Sequence, residues 1–128
     1  MAELDDKRVL IFIGDDYEDL ELLYPRLRLI EAGAEVVLAG QKAGHTYHGK
    51  HTYPCDSDAV VDDVDDDDFD GLVVPGGWMP DKLRRDPQVL ELTRGFHEAG
   101  KLVAHICHGG WIPASAGIMS GFRCTSTP

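Results

Sequence analysis

Cys107 stands where a nucleophile would be placed. In "LVAHICHGGWIPASAG", residues 102–117, an apolar run ends on a Cys-His pair, two glycines follow, and a small-residue segment of helical character comes next. A thiolate attacks carbonyl carbon, backbone N–H groups stabilise the resulting oxyanion, and an adjacent imidazole carries the proton to the leaving group. A strand that turns sharply into a helix lifts the residue at the turn above the sheet. The crowding this causes calls for small neighbours, which Gly109 and Gly110 supply. The helix that follows offers unpaired N–H groups and the positive end of its dipole, and both favour thiolate over thiol. A free cysteine is otherwise most often a small buried hydrophobe. His108 and the paired glycines set Cys107 apart from that case.

The elements that must hold this cysteine alternate along the chain. "RVLIFIG" (8–14) is a short apolar run of the kind that forms a strand buried on both faces. A helix follows, with Leu20, Leu23, Leu27 and Ile30 at helical spacing, Pro25 expected to kink it, and Gly33 closing it. "EVVLAG" is a second strand, and residues 43–61 read as an excursion with short strands. "GLVVPGG" is a third strand, and "PQVLELTRGFHEAG" a helix with Val89, Leu90, Thr93 and Phe96 on one side. "KLVAHIC" is a fourth strand, "GWIPASAGIM" a helix interrupted early by Pro113, and "GFRCTSTP" the start of a further strand. This alternation implies βαβ units in one α/β domain over residues 1–128, with a mostly parallel sheet covered on both faces. Ligands bind such sheets beyond the carboxyl ends of the strands, at a topological switch point. The turns "GDDYE", "PGGWMPD" and "CHGG" fall at strand ends and are expected to converge there.

Composition narrows the function. The formal net charge is −11, which argues against a nucleic-acid partner, since phosphate binding needs a basic face. No run approaches the ~18 apolar residues of a membrane span, so no membrane partner is expected. "MAELDDKRVLIFIG" is acidic where a signal peptide is basic, and the three cysteines show no CxxC spacing. Both point to a reducing, cytoplasmic setting without a disulfide scaffold or zinc site. "DDVDDDDFD" (62–70) lacks the alternating ligands, central Gly and terminal Glu of an EF-hand loop and reads as a solvated loop. His45, His48 and His51 recur every three residues near Cys55, but on an extended chain they alternate faces. No metal and no cofactor is therefore expected. His105 reads as a core histidine with its hydrogen bonds satisfied, and Cys55 and Cys124 as structural.

Several segments, in this order, resemble the ThiJ/PfpI superfamily, and within it the PfpI intracellular-protease, deglycase-like branch of the class I glutamine amidotransferase-like proteins. They are "DDYEDLELLYPRLRLIEAG", "HGKH", "FDGLVVPGGWMPDKLR" and "AHICHGGWIPASAGIMSGFRCTSTP". The resemblance implies a flavodoxin-like three-layer sandwich that self-associates into dimers or rings of dimers. It also implies a further helix, two strands and a last helix after the segment matching "GFRCTSTP".

The resemblance assigns roles residue by residue. Cys107 matches the nucleophile and His108 its proton carrier. Glu18 matches the carboxyl that contacts the sulfur; as a like-charged neighbour of a thiolate it would have to be protonated. The residues alone also allow Glu18 as a carboxylate favoured at a helix start. Gly76, Gly77 and His108 would supply the oxyanion N–H groups. Asp81, where the family carries Glu, would orient the histidine of a neighbouring subunit; on its own it also reads as a helix cap. Trp78 would wall the pocket, and "GKH" would serve structurally near an interface. The implied activity is that of a stress-related cysteine hydrolase. Its substrate would be a peptide or amide, or a small α-oxoaldehyde and its protein adducts. The alternative is an oxidation sensor or holding chaperone that uses Cys107 as a redox thiol.

Overall fold

In the computed structural model, which describes residues 2–127, the apolar run after Arg8 forms β1 (Arg8–Phe12), the middle strand of a five-stranded sheet. On one side of it lie β2 (Glu35–Gly40) and, outermost, β5 (Ala59–Val60). On the other side lie β6 (Gly71–Val74) and β7 (Leu102–His105). Every pairing in this sheet is parallel, with Leu10 opposite both Val37 and Leu72, and Val73 opposite Ala104. Leu10, Ile11, Phe12 and Ile13 have no solvent exposure, as expected of a central parallel strand with both faces covered.

The chain leaves β1 for β2 in one direction and later fills β6 and β7 in the other. β1 and β6 therefore flank the switch point, where the crevice for a ligand lies. Right-handed crossovers running in opposite directions place α1 (Asp19–Glu31) and α3 (Pro87–Glu98) on opposite faces of the sheet. The short α2 (Met79–Leu83) and α4 (Trp111–Ala116) pack together, and α4 also packs on α3. This is an α/β sandwich with a parallel central sheet flanked by helices. Val89, Thr93 and Phe96 of α3 are buried as their spacing predicts, Leu90 is only half-buried, and Leu92 joins the buried side.

Helix α1 departs from the expected orientation. It runs through Pro25 and buries Leu22, with Leu23 and Leu29 packed on the core. Leu20, Tyr24, Leu27 and Ile30 face outward at 71%, 71%, 60% and 46% exposure. Apolar residues lie on both sides of this helix, so spacing alone does not say which side meets the sheet.

Residues 43–61 form an antiparallel hairpin, β3 (Thr46–His48) with β4 (Pro54–Asp56), before β5 joins the main sheet. The hairpin is tied to the start of α1. The buried Asp19 carboxylate accepts the N–H groups of His51 (3.1 Å) and Tyr53 (3.2 Å). Tyr17 donates its hydroxyl to the Tyr53 carbonyl, and burial pushes that hydroxyl's pKa up to about 12.

The acidic run is more than a solvated loop. It folds as two 3-10 turns, Val61–Asp63 and Asp66–Asp68. Asp70 accepts the Arg8 N–H (2.8 Å), and the Asp68 carbonyl accepts from the Arg8 guanidinium (2.9 Å), so the run pins the start of β1. Residues 118–127 form no regular element, so the strand expected at "GFRCTSTP" is not formed within the described residues. No helix among the described residues is long and apolar enough to cross a membrane.

Candidate active site

At the end of β7 the backbone turns abruptly. Cys107 has φ 58°, a left-handed conformation that residues with a β-carbon rarely adopt. A 3-10 turn, Cys107–Gly110, follows and runs straight into α4. The turn is anchored on both sides: Gly109 donates to the Ile106 carbonyl (2.9 Å), and Ile106 donates to the Val74 carbonyl of β6 (3.3 Å). This strained strand-to-helix turn is the geometry of a nucleophile elbow. The thiol is half-buried, and its sulfur lies 3.6 Å from His108 Nδ1.

The Gly-Gly turn after β6 is clamped to the turn after β1. Glu18 donates its N–H to the Gly76 carbonyl (3.0 Å), and Trp78 donates to the Asp16 carbonyl (2.9 Å). Together these make an isolated antiparallel bridge between Tyr17 and Gly77. Gly77 has φ 81°, and a β-carbon there would come within 2.6 Å of the Glu18 nitrogen, so only glycine fits. The three turns expected to converge do meet at the carboxyl ends of β1, β6 and β7.

The carboxyl at the cysteine is Glu21, which sequence reasoning missed. Its Oε1 accepts the Gly76 N–H (3.0 Å), and its side chain also interacts with the Cys107 thiol. A β-carbon on Gly76 would sit 2.9 Å from Cys107 Cβ and 3.1 Å from the His108 nitrogen, and would collide with Glu21 Oε1. The missing side chain of Gly76 is thus the space in which thiol, carboxyl and His108 N–H converge. Burial raises the Glu21 pKa, as does the nearby Glu18; the Gly76 N–H, Lys50 and the thiol oppose that rise.

Glu18 lies elsewhere. It is the N-cap of α1, accepts the Glu21 N–H (2.9 Å), and has Oε1 3.8 Å from His51 Nε2. A capping residue turns its side chain back onto the helix end, and the residue three positions on is free to project. That spacing was the available signal. The expected oxyanion set changes with it: the Gly76 N–H is occupied by Glu21, while the Gly77 N–H takes no part in the bridge.

His108 packs against two indoles. The Trp111 ring meets it edge-on at 4.7 Å between centroids, and Trp78 lies at 5.7 Å with planes inclined by 34°. The Arg84 guanidinium lies over the Trp111 ring, 5.3 Å from its centroid, with its Nε donating to Ser115 Oγ (2.9 Å). Asp81 does not cap α2, where Trp78 takes the N-cap position; its carboxylate pairs with Arg85 at 2.9 Å. His105 is not a satisfied core histidine. Its Nδ1 is buried without a partner, and burial lowers its pKa.

Cys55 is buried and Cys124 exposed, and all three cysteines are free. Among the described residues, the carboxylates placed closely enough to share a cation are Asp65, Asp66 and Asp67, on the acidic run.

Residues 7–128 match the DJ-1/PfpI family. A deglycase of Pyrococcus abyssi is 45% identical over 121 residues, covering 94% of this chain and 72% of that protein. The deglycase PfpI of Pyrococcus furiosus is 41% identical, over 93% of this chain and 71% of the relative. A crystal structure of a two-domain protein from Anabaena variabilis, with DJ-1/ThiJ/PfpI-like and ferritin-like domains, superposes with a TM-score of 0.89 at 35% identity. The match covers 91% of this chain and 34% of that one.

Proposed function

The chain belongs to the DJ-1/PfpI family, and from that premise we propose that it is a cysteine-dependent deglycase acting on α-oxoaldehydes and their protein adducts. Carrying this reading is one observation: a cysteine held at φ 58° with His108 Nδ1 3.6 Å from its sulfur, opposite the carboxyl of Glu21. The deglycase relatives support the substrate class.

The chemistry balances without an outside oxidant. The Cys107 thiol adds to the aldehyde carbon: an S–C bond forms, the carbonyl π bond breaks, and the thiol proton ends on the oxygen. Proton transfer from the new hemithioacetal carbon to the neighbouring ketone carbon, with the hydroxyl proton passing to the former ketone oxygen, then gives the thioester of a 2-hydroxy acid. Water cleaves the thioester and restores the thiol, so the oxoaldehyde has gained one water. His108 and Glu21 are the groups beside the sulfur able to carry these protons, and burial helps Glu21 keep one to give. In this proposal the N–H groups of Gly77 and His108 are the donors to the developing oxyanion. Peptide or amide hydrolysis would use the same thiol and oxyanion site and is the protease-like form of this function. Three free cysteines fit a reducing compartment such as the cytoplasm.

The active unit is a homo-oligomer in this proposal. The outward stripe of Leu20, Tyr24 and Leu27 on α1 gives a second copy an apolar face to cover. Asp81, at the start of α2, would serve the histidine of that copy, exchanging its exposed pairing with Arg85 for one across the interface.

A second reading has the same thiol oxidised rather than turned over, because a protonated Glu21 could donate to a sulfinate as well as to a thiolate. Methylglyoxal turnover and casein degradation, measured side by side on wild type and Cys107→Ser, separate the outcomes. Turnover lost in the variant supports the deglycase. Equal rates in both proteins, or none in either, would overturn it. Iodoacetamide labelling with mass-spectrometric site assignment should find Cys107 more reactive than the exposed Cys124.

A further inference from the structure

We infer that Trp111 and Arg84 are positioning residues for His108: together they hold the imidazole in the rotamer that sets its Nδ1 at the Cys107 sulfur. The inference rests on the deglycase reading for the proton-carrying role of His108, and deepens it.

A proton carrier beside a nucleophile is ordinarily oriented by a third group that hydrogen-bonds its ring. Among the described residues the His108 imidazole meets no carboxylate or carbonyl in this way; its polar contact is the thiol at 3.6 Å. The ring is held by packing instead. Trp111 meets it at 4.7 Å between centroids with planes inclined by 79°, an arrangement that aromatic pairs prefer.

Trp111 is the first residue of α4 and follows directly on the turn that carries Cys107 and His108. Its indole is restrained from another element. The Arg84 guanidinium lies over it at 5.3 Å, within the range of cation–π attraction. Arg84 is itself tied at both ends. Its N–H donates to the Pro80 carbonyl (2.9 Å) where α2 closes, and its Nε donates to Ser115 Oγ (2.9 Å). Trp111 and Ser115 are four residues apart and share one face of α4, so one guanidinium engages both. Trp78, the other indole at His108, is 60% exposed and has no cation over its ring among the described residues. The restraint through Trp111 is made within one chain and does not depend on a second copy supplying Asp81.

The test measures methylglyoxal turnover in wild type, Trp111→Ala, Trp111→Phe, Arg84→Ala and the double variant, with thermal melting to confirm folding. A parallel arm needs no turnover. The nitrogen-15 shifts of the His108 imidazole in mildly alkaline buffer, assigned with His108→Asn, show whether its proton stays on one nitrogen or is averaged over both. The expected result is a kcat lowered by about tenfold in Trp111→Ala with KM within about twofold, and largely restored in Trp111→Phe. The two shifts should move toward each other in Trp111→Ala and stay apart in Trp111→Phe. Arg84→Ala should lower kcat by a smaller factor and add nothing to Trp111→Ala, because it acts through the indole. It also carries the test should Trp111→Ala fail to fold, since it leaves the indole in place. Unchanged imidazole shifts in folded Trp111→Ala, with kcat unchanged or the loss confined to KM, overturn the inference and leave the deglycase reading standing. Losses that multiply in the double variant overturn the part assigned to Arg84. Absence of turnover in wild type, with the shifts still averaging in Trp111→Ala, overturns the deglycase reading and keeps the positioning of His108.

Discussion

At Cys107 the chain holds a residue with a β-carbon at φ 58°, a conformation that costs about 1–3 kcal/mol and persists only because its surroundings enforce it. Cys107→Gly should therefore melt higher than Cys107→Ser by an amount of that order while both lack activity; equal melting temperatures would show an unstrained elbow. Glu21 and Glu18 make a second contrast. Glu21→Gln keeps an acceptor for the Gly76 N–H but loses the proton carrier beside the sulfur, so activity should fall by about 100-fold or more. Burial raises the Glu21 pKa above its unfolded value, so the folded state is penalised as pH rises through the folded pKa. Glu21→Gln should accordingly be more stable than wild type at neutral pH, and that gain should shrink on acidification. Glu18→Ala removes an N-cap instead, costing about 1 kcal/mol of stability with little effect on turnover. His105 gives the opposite pH dependence. Its pKa is lowered by burial, so the unfolded chain takes up the proton first, and stability is lost as pH falls through the ordinary histidine range. Melting at about pH 7 and at about pH 5 should differ less in His105→Asn than in wild type.

Among the elements, those with a strong local pattern were legible from sequence. β1, β6 and β7 are apolar runs bounded by turns, and their parallel order follows from the helices between them. The convergence of three turns followed from that order. What could not be read was rotation. α1 carries apolar residues on two sides, and only packing shows that Leu22 turns inward while Leu20 and Leu27 turn out. The same rotation decides which of two carboxylates three residues apart reaches the cysteine, so Glu18 drew the assignment that Glu21 fills. A structural role for "GKH" near an interface rests on resemblance alone. In the fold this turn closes over the start of α1, where Asp19 accepts the His51 N–H of the turn and the Tyr53 N–H just beyond it. Asp19→Ala should leave those donors unsatisfied and cost about 1–3 kcal/mol, read as a lower melting temperature. It should also loosen Lys50 and His51 at the rim of the site. An unchanged melting temperature would mean that the hairpin is held by other contacts.

For the whole molecule, the stripe on α1 and the partly exposed Asp81 pose one question, whether the site is shared between copies. Leu20→Glu with Leu27→Glu should shift sedimentation toward monomer if a second copy covers the stripe. A mixture of Cys107→Ser and Asp81→Ala chains, exchanged through partial dissociation, should regain part of the activity each lacks alone. Full activity of Asp81→Ala by itself, or no recovery in chains shown to exchange, would confine Asp81 to its pairing with Arg85.

The bridge between Tyr17 and Gly77 also sets how the site opens in time. The amides of Glu18 and Trp78 belong to turns about sixty residues apart in sequence, yet each is protected only while the other turn stays in place. Deuterium should enter both in a single event, at one rate and with one dependence on denaturant. That rate would report the lifetime of the assembled pocket in a protein whose chemistry had been silenced at the sulfur, and a bound aldehyde would lengthen it.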